Sequence, residues 1–349
     1  MKYIGIDHHK QYSVVVVMDE KGTIINKGRF PMKRASIKEY MMGIKGEDGE
    51  ETKAVLEASY GWEFPYDVLS EMIDEVILAH PLKTRAIAEA RIKHDLLDAQ
   101  TLAHLLRADL IPQAYAPSLE VRSTRSLLRF RAFLTRFKVS TKNRIHALLD
   151  RHHIEDAGFN KLKDKFGKRG RAFLSTVTFP GYDTLVLKRS LELLDTIEEI
   201  IKEIDKILEK ILAEDPIAQL LDTIPGLGTF YSLLIRYEIG DIHRFPSAKK
   251  LCAYVGIVPS LSSSGGRSYT GRITKQGNRL LRWAIIEAVY PAIRKDAELR
   301  LYFERIAARH GKNTAKVATA RKLLSIVYRI WTDNRPYQYR EKAVALFCH

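Results

Sequence analysis

"YIGIDHHKQYSVVVVMDEKGTIINKGRF", Tyr3 to Phe30, decides the fold. Three runs rich in β-branched residues, "YIGID", "YSVVVVMD" and "TIINKGRF", are separated by polar and glycine punctuation, so the stretch reads as three consecutive strands. Working outward, "SIKEYMMGI" predicts a helix, "TKAVLEA" a strand, "GWEFPYDVLSEM" a helix and "EVILAH" a strand, and "HDLLDAQTLAHLLRA" predicts an amphipathic helix. The order βββαβαβα is that of an α/β RNase H-like fold, a mixed sheet flanked by helices.

From Pro117 the pattern changes to long helices. The first runs through "LEVRSTRSLLRFRAFLTRFKVSTKNRIHALLD", with Arg and Lys on the faces its apolar residues leave. In the second, Leu194, Ile197, Ile201, Ile204, Leu208 and Ile211 recur at alternating three- and four-residue steps, the spacing of a coiled-coil seam. Such a seam packs either on the preceding basic helix or on another subunit, and the thinness of the segment favours the second. Residues 216–349 form a third, mainly helical unit broken by Gly and Pro. The expected domains are therefore 1–115, an α/β catalytic domain; 116–215, a helical coiled-coil and dimerisation segment; and 216–349, a C-terminal domain.

The 349 residues carry a net charge of +15, unevenly spread. Residues 1–115 hold 15 Lys and Arg against 18 Asp and Glu, whereas residues 216–349 hold 22 against 9. An acidic first part followed by basic regions suits a polyanionic partner gripped by one part and cut by another. Cys252 and Cys348 are far apart and belong to no ligand pattern, so neither a disulfide framework nor a structural zinc site is indicated. There is no apolar run of membrane-spanning length and no leader pattern, and the chain reads as soluble and cytoplasmic with no membrane partner.

Four carboxylates stand at chemically suggestive places. Asp7 ends the first strand, Glu57 ends the fourth, and Asp95 and Asp98 lie three apart on one helix face. Grouped carboxylates repel one another and raise each other's pKa unless a cation compensates them. Hard oxygen donors select Mg²⁺ or Mn²⁺, and two such ions can hold a scissile phosphate and neutralise both the attacking and the leaving oxygen. His8 and His9 adjoin Asp7 on opposite sides of the strand and are not counted among the ligands. Lys83 and Lys93, near the acidic residues, are candidate phosphate contacts.

Two further motifs lie in the last third. "IPGLG", Ile224 to Gly228, resembles a helix-hairpin-helix turn in which Gly226 and Gly228 bring the backbone close to a phosphate. "PSLSSSGGRSYTGRITKQGNR", Pro259 to Arg279, reads as a loop that presents a serine, with Gly265 and Gly266 freeing the backbone and Arg267, Arg272, Lys275 and Arg279 holding flanking phosphates. The plain alternative is a solvated connector. "GRITKQGN" is no Walker loop, because Asn278 follows Gly277 where lysine would be required.

These residues together resemble the DEDD-type insertion-sequence transposases, the "one-ten" family. "YIGIDHHK" resembles its opening strand motif, "LEASYGW" its Glu motif, and "KHDLLDAQTLA" its Lys-x-Asp-x-x-Asp-Ala motif. "IPGLG" and "YVGIVPSLSSSGGRSYTGRITKQGNRLLR" resemble its C-terminal transposase domain, with Gly256, Pro259, Ser264, Gly265, Ile273, Lys275, Gly277, Asn278 and Arg282 in pattern. The resemblance implies a RuvC-like N-terminal domain with Asp7, Glu57, Asp95 and Asp98 as a metal-binding tetrad. It also implies a C-terminal domain whose serine becomes covalently joined to DNA, matching Ser264, with Ser262 and Ser263 as neighbouring hydroxyls. Guidance by a noncoding bridge RNA, double-stranded donor and target DNA, and dimers assembling into tetramers follow from the same resemblance. The paired histidine after Asp7 departs from many relatives.

Two other readings use the same residues. One is a RuvC-like structure-selective nuclease cutting with metal-activated water; the other is a non-catalytic nucleic-acid-binding scaffold.

Overall fold

Val14 to Val17 have no polar side because both faces of their strand are covered: Val15 and Val17 sit in one apolar cluster and Val16 in another. The computed structural model describes residues 1–45, 49–88, 94–154, 156–264 and 267–339, without the side chains of residues 157 and 261–270. The chain divides into two compact units, Met1–Pro117 and Ser118–His349.

The first unit runs β1 (Lys2–His8), β2 (Tyr12–Met18), β3 (Ile24–Pro31), α1 (Arg34–Lys45), β4 (Thr52–Glu57), α2 (Glu63–Ser70), β5 (Glu75–Ala79), α3 (Pro81–Ile87) and α4 (Asp95–Arg107). The sheet order is β3-β2-β1-β4-β5. The first three strands pair antiparallel, and β1–β4 and β4–β5 pair parallel. Helices α1 and α2 cover one face, where Ile37, Met41, Val68 and Leu69 meet Ile4, Ile6, Val15 and Val17. The other face belongs to α4, whose Ala99 and Ala103 meet Val16 and Met18, and whose Leu102 and Leu106 meet Val55 and Ala79. Helix α3, opened by Pro81, is an element that the sequence pattern does not announce.

Gly5 sets how closely α4 approaches. A Cβ at Gly5 would overlap the Ala99 carbonyl and the Ala103 amide. Only a strand residue without a side chain lets a helix with alanines on its inner face rest directly on β1.

The second unit comprises α5 (Leu119–Arg151), α6 (Ala157–Asn160), α7 (Lys168–Leu174), α8 (Asp183–Glu214), α9 (Pro216–Asp222), α10 (Gly228–Ile239), α11 (Ala248–Val255), β6 (Pro259–Ser264), β7 (Arg267–Ile273), α12 (Arg279–Glu287), α13 (Val289–Lys295), α14 (Ala297–His310) and α15 (Lys312–Asp333). Residues 116–215 and 216–349, expected as separate parts, pack into this one unit apart from its first residues.

The seam of α8 has a partner in the same chain. Ile197, Ile201, Ile204 and Leu208 are buried with Leu128 and Leu134 of α5, and Leu194 is buried with Ile145, Leu148 and Leu149 of the same helix. Within the chain the seam packs on α5, the first of the two partners its pattern allowed. The faces of α5 that read as basic also carry apolar knobs at helical spacing, enough to cover α8.

The serine stretch departs from the loop reading. Residues 259–264 and 267–273 pair antiparallel as a hairpin, with Ser264 opposite Arg267 and Pro259 opposite Ile273. Gly265 and Gly266, expected to free the backbone, lie outside the described residues. Among the described residues, no helix is long and apolar enough to cross a membrane.

Candidate active site

Strand parity brings the carboxylates together. Gly5 faces α4, so Asp7, two residues on, faces the same way. Val55 packs on the α4 side of the neighbouring strand, which places Glu57 on that side too. Ile6 stands opposite Leu56 in the parallel ladder, so Asp7 and Glu57 emerge next to each other at the strand ends. Asp95 and Asp98 occupy the first turn of α4, where the helix dipole favours negative charge, and the Nδ1 of the capping His94 accepts from the Leu96 amide at 3.2 Å.

Asp7, Glu57 and Asp98 line a cavity of about 300 Å³ together with Leu82, Thr84 and Arg85 of α3 and Thr101 of α4. On its other side Asp7 meets His9 and Asp95: the His9 Nε2 stands 3.1 Å from Asp7 Oδ2 and 3.2 Å from Asp95 Oδ2. Burial holds the Asp7 carboxyl above its ordinary value; His9 opposes the rise, and the charges of Asp98 and Asp95 add to it. Asp95 is lowered, chiefly because the Tyr12 hydroxyl donates to its Oδ2 at 3.0 Å. The same bond raises the Tyr12 phenol. The Tyr12 ring packs at 4.9 Å against His9, tilted by 46°, and carries the Arg29 guanidinium over it at 4.8 Å. His8 is turned elsewhere, its Nε2 lying 2.8 Å from the Tyr60 carbonyl oxygen.

This arrangement fits a divalent cation. The donors are hard oxygens plus one imidazole, and a cation would offset what raises Asp7, first its burial and then the charges of Asp98 and Asp95. Sequence reasoning missed Tyr12 and Arg85 and set His9 aside. The signal for His9 was present, because residues two apart on a strand share a face.

Two family models match the chain. One, described as a transposase with the DEDD motif of IS110, covers residues 4–154 and so spans all four carboxylates. The other, the transposase IS116/IS110/IS902 family, covers residues 218–304 and includes both C-terminal motifs. The chain belongs to the IS110 family of DEDD transposases. It is 26% identical over 345 residues to the transposase for insertion sequence element IS1111A of Coxiella burnetii, covering 97% of this chain and 92% of that relative. It is also 26% identical over 287 residues to the transposase for IS1328 of Yersinia enterocolitica, covering 80% of this chain and 83% of the relative. To the pilin gene-inverting protein of Moraxella bovis it is 36% identical over 135 residues, 35% of this chain and 39% of that one. The DEDD domain brings with it an RNase H-like N-terminal fold and the use of a divalent metal.

In the C-terminal part of this transposase the structure sorts the candidate nucleic-acid residues into two groups. Arg272, Lys275 and Arg279 are exposed, as is Gly228, which opens α10 with open space where a side chain would stand. Lys83 is exposed on α3 of the first unit. Lys93 and the side chain of Arg267 lie outside the described residues, as do the side chains of Ser262, Ser263 and Ser264.

Asn278, Arg282 and Gly226, also expected as contacts, are engaged inside the unit. Asn278 caps α12, its Oδ1 accepting from the Leu280 and Leu281 amides at 3.0 Å, while its Nδ2 donates to Glu238 at 2.6 Å. Glu238 is buried and takes two bonds from Arg129 of α5, at 2.7 and 3.0 Å. Arg282 donates to the Val255 carbonyl at 2.8 Å, fixing the end of α11. A Cβ at Gly226 would come within 2.6 Å of the Ala288 carbonyl, so this glycine serves close packing rather than the approach of a phosphate. The feet of the hairpin are tied to the same end of α11, by Thr274 N–H to the Val258 carbonyl at 2.9 Å and by Lys275 N–H to the Gly256 carbonyl at 3.1 Å.

Proposed function

We propose that this transposase cleaves and exchanges DNA strands by a metal-dependent reaction that passes through a phosphoserine link at Ser264, directed by a noncoding bridge RNA that pairs with donor and target. The observation that carries the reading is the meeting of Asp7 and Glu57 at adjacent strand ends beneath the first turn of α4, in a chain that matches both halves of the family. Asp7, Glu57, Asp95 and Asp98 would hold Mg²⁺ or Mn²⁺, in two positions. When bound, the cations supply charge neutralisation at the scissile phosphate.

The chain's own residues do the rest. Tyr12 orients Asp95, the closeness of α4 to β1 fixes both helix carboxylates against Asp7, and Arg85 stands at the cavity wall. In the covalent step the Ser264 Oγ forms a bond to phosphorus, the bond from phosphorus to the departing strand oxygen breaks, and the serine proton is passed on so that the strand leaves as a hydroxyl. The link retains one phosphodiester's worth of bond energy, so rejoining reverses the same exchange and needs no nucleotide cofactor.

Ser264 ends β6 opposite Arg267, and Arg272 lies toward the foot of the hairpin, about 17 Å of strand away at the usual rise of about 3.4 Å per residue, with Lys275 and Arg279 following past the end of β7. These cations are therefore suited to phosphates several nucleotides from the one attacked. Double-stranded DNA is the substrate, and a dimer assembling to a tetramer is the expected form.

The test is a cleavage reaction with element-end DNA and guide RNA, resolved on a denaturing gel. A protein–DNA adduct is expected from the unaltered chain, none from Ser264→Ala and no cleavage from Glu57→Gln. Cleavage without an adduct in the unaltered chain would replace this mechanism with attack by water.

A further inference from the structure

The carboxylate tetrad leaves out a side chain that stands between two of its members, Asp7 and Asp95. Gly5, Asp7 and His9 share a parity, and His9 is held just past β1 by the hydrogen bond its backbone N–H donates to the Tyr12 carbonyl at 2.9 Å. The donor atoms of Asp7, His9 and Asp95 lie within 4.8 Å of one another. The His9 Nε2 is closed off from solvent, and no described residue offers it an aligned hydrogen bond, although carboxylate oxygens stand at 3.1 and 3.2 Å. A buried polar atom left without a bond is costly, and one aimed between two anionic oxygens asks for a cation.

The spacing agrees. Neighbouring donors around a six-coordinate cation with bonds of about 2.1 Å stand about 3.0 Å apart, close to both separations at His9. The Tyr12 hydroxyl already steadies Asp95 Oδ2 and its ring packs on the imidazole, so two of the three donors are fixed from behind.

We propose that His9 is a metal ligand, completing with Asp7 and Asp95 one cation position that differs chemically from the all-oxygen position lined by Asp7, Glu57 and Asp98. The assignment rests on reading the carboxylates as a cation site. Asp7 serves both positions, and the imidazole moves the first of them away from Mg²⁺ and toward Mn²⁺, because nitrogen donors suit transition metals. His8 has no part in it, being engaged with the Tyr60 carbonyl.

The full-length protein loaded with Mn²⁺ alone and studied by pulsed electron paramagnetic resonance tests this. The unaltered chain should show coupling of the manganese to one imidazole nitrogen. His9→Gln should abolish that coupling and weaken Mn²⁺ binding roughly tenfold, and His8→Gln should keep the coupling. Bound manganese without nitrogen coupling in the unaltered chain, or coupling that survives His9→Gln, overturns the assignment and leaves the carboxylate site standing. Equal Mn²⁺ binding by the unaltered chain and by Asp7→Asn overturns the carboxylate site, and His9 falls with it.

Discussion

The two functional regions of this transposase are built on opposite plans. In the first unit, charged groups are forced together: carboxylates from two strands and a helix crowd around Asp7 because Gly5 lets α4 lie on β1. In the second, charged groups are sorted apart, with Arg272, Lys275 and Arg279 outward, and Asn278 and Arg282 turned to partners inside, Asn278 to the buried Glu238. A metal site needs the first plan, since a cation repays repulsion that nothing else does. A surface that follows a phosphate backbone needs the second, with free cations carried on a frame of neutralised ones.

Gly5→Ala should break the first plan most severely. The new methyl group displaces α4, at a cost of about 3 kcal/mol to the first unit, and carries Asp95 and Asp98 away from Asp7. Thermal unfolding should show the loss of stability, and Mn²⁺ titration should show loss of binding. An unchanged melting temperature with intact metal binding would mean that close helix-on-strand contact is not what assembles the carboxylates.

The second plan is tested by a pair of substitutions. Asn278→Ala removes a helix cap and one bond to buried Glu238, so stability should fall by about 2 kcal/mol, while the salt dependence of DNA binding keeps its slope. Arg272→Ala should do the reverse, flattening the slope by about one unit with little change in melting temperature. If the two exchange their effects, the division into inward and outward residues is wrong.

The first plan was the more legible in sequence because periodicity alone aims its residues. Asp7 and Glu57 sit at strand ends and Asp95 and Asp98 are three apart, so face and end follow from spacing. Spacing within one strand also puts His9 on the side of Asp7, but it cannot say which residue of a neighbouring strand reaches a carboxylate, and so Tyr12, the first residue of β2, was missed. In the second region, Asn278 and Arg282 lie in the same basic stretch as Arg272 and Lys275, and their side chains differ only in which carbonyl or carboxylate stands nearby. That depends on tertiary packing of α10, α11 and α12 and leaves no local trace. The partner of the α8 seam was open for a related reason: a heptad pattern specifies an apolar partner but not which helix supplies it, and within the chain α5 does.

The smallest effect expected is also the one with a reversible sign. The Asp7 carboxyl is raised above its ordinary value of 3.8 in the folded, metal-free protein, so the folded state holds this proton more tightly than the unfolded chain. Its contribution is therefore most favourable at low pH and is lost as pH rises through the folded pKa, leaving a net penalty at neutral pH. Asp7→Asn removes that penalty and should stabilise the metal-free first unit at pH 7, with the gain disappearing below pH 3.8, where both forms are neutral. Mn²⁺ should reverse the order, because only the unaltered chain gains the full binding free energy. Melting curves for both proteins at two pH values, with and without the ion, would show the crossing; a variant less stable than the parent in metal-free neutral buffer would mean that the carboxylates are already compensated by protein groups, and the contrast between crowded and sorted charge would lose its basis.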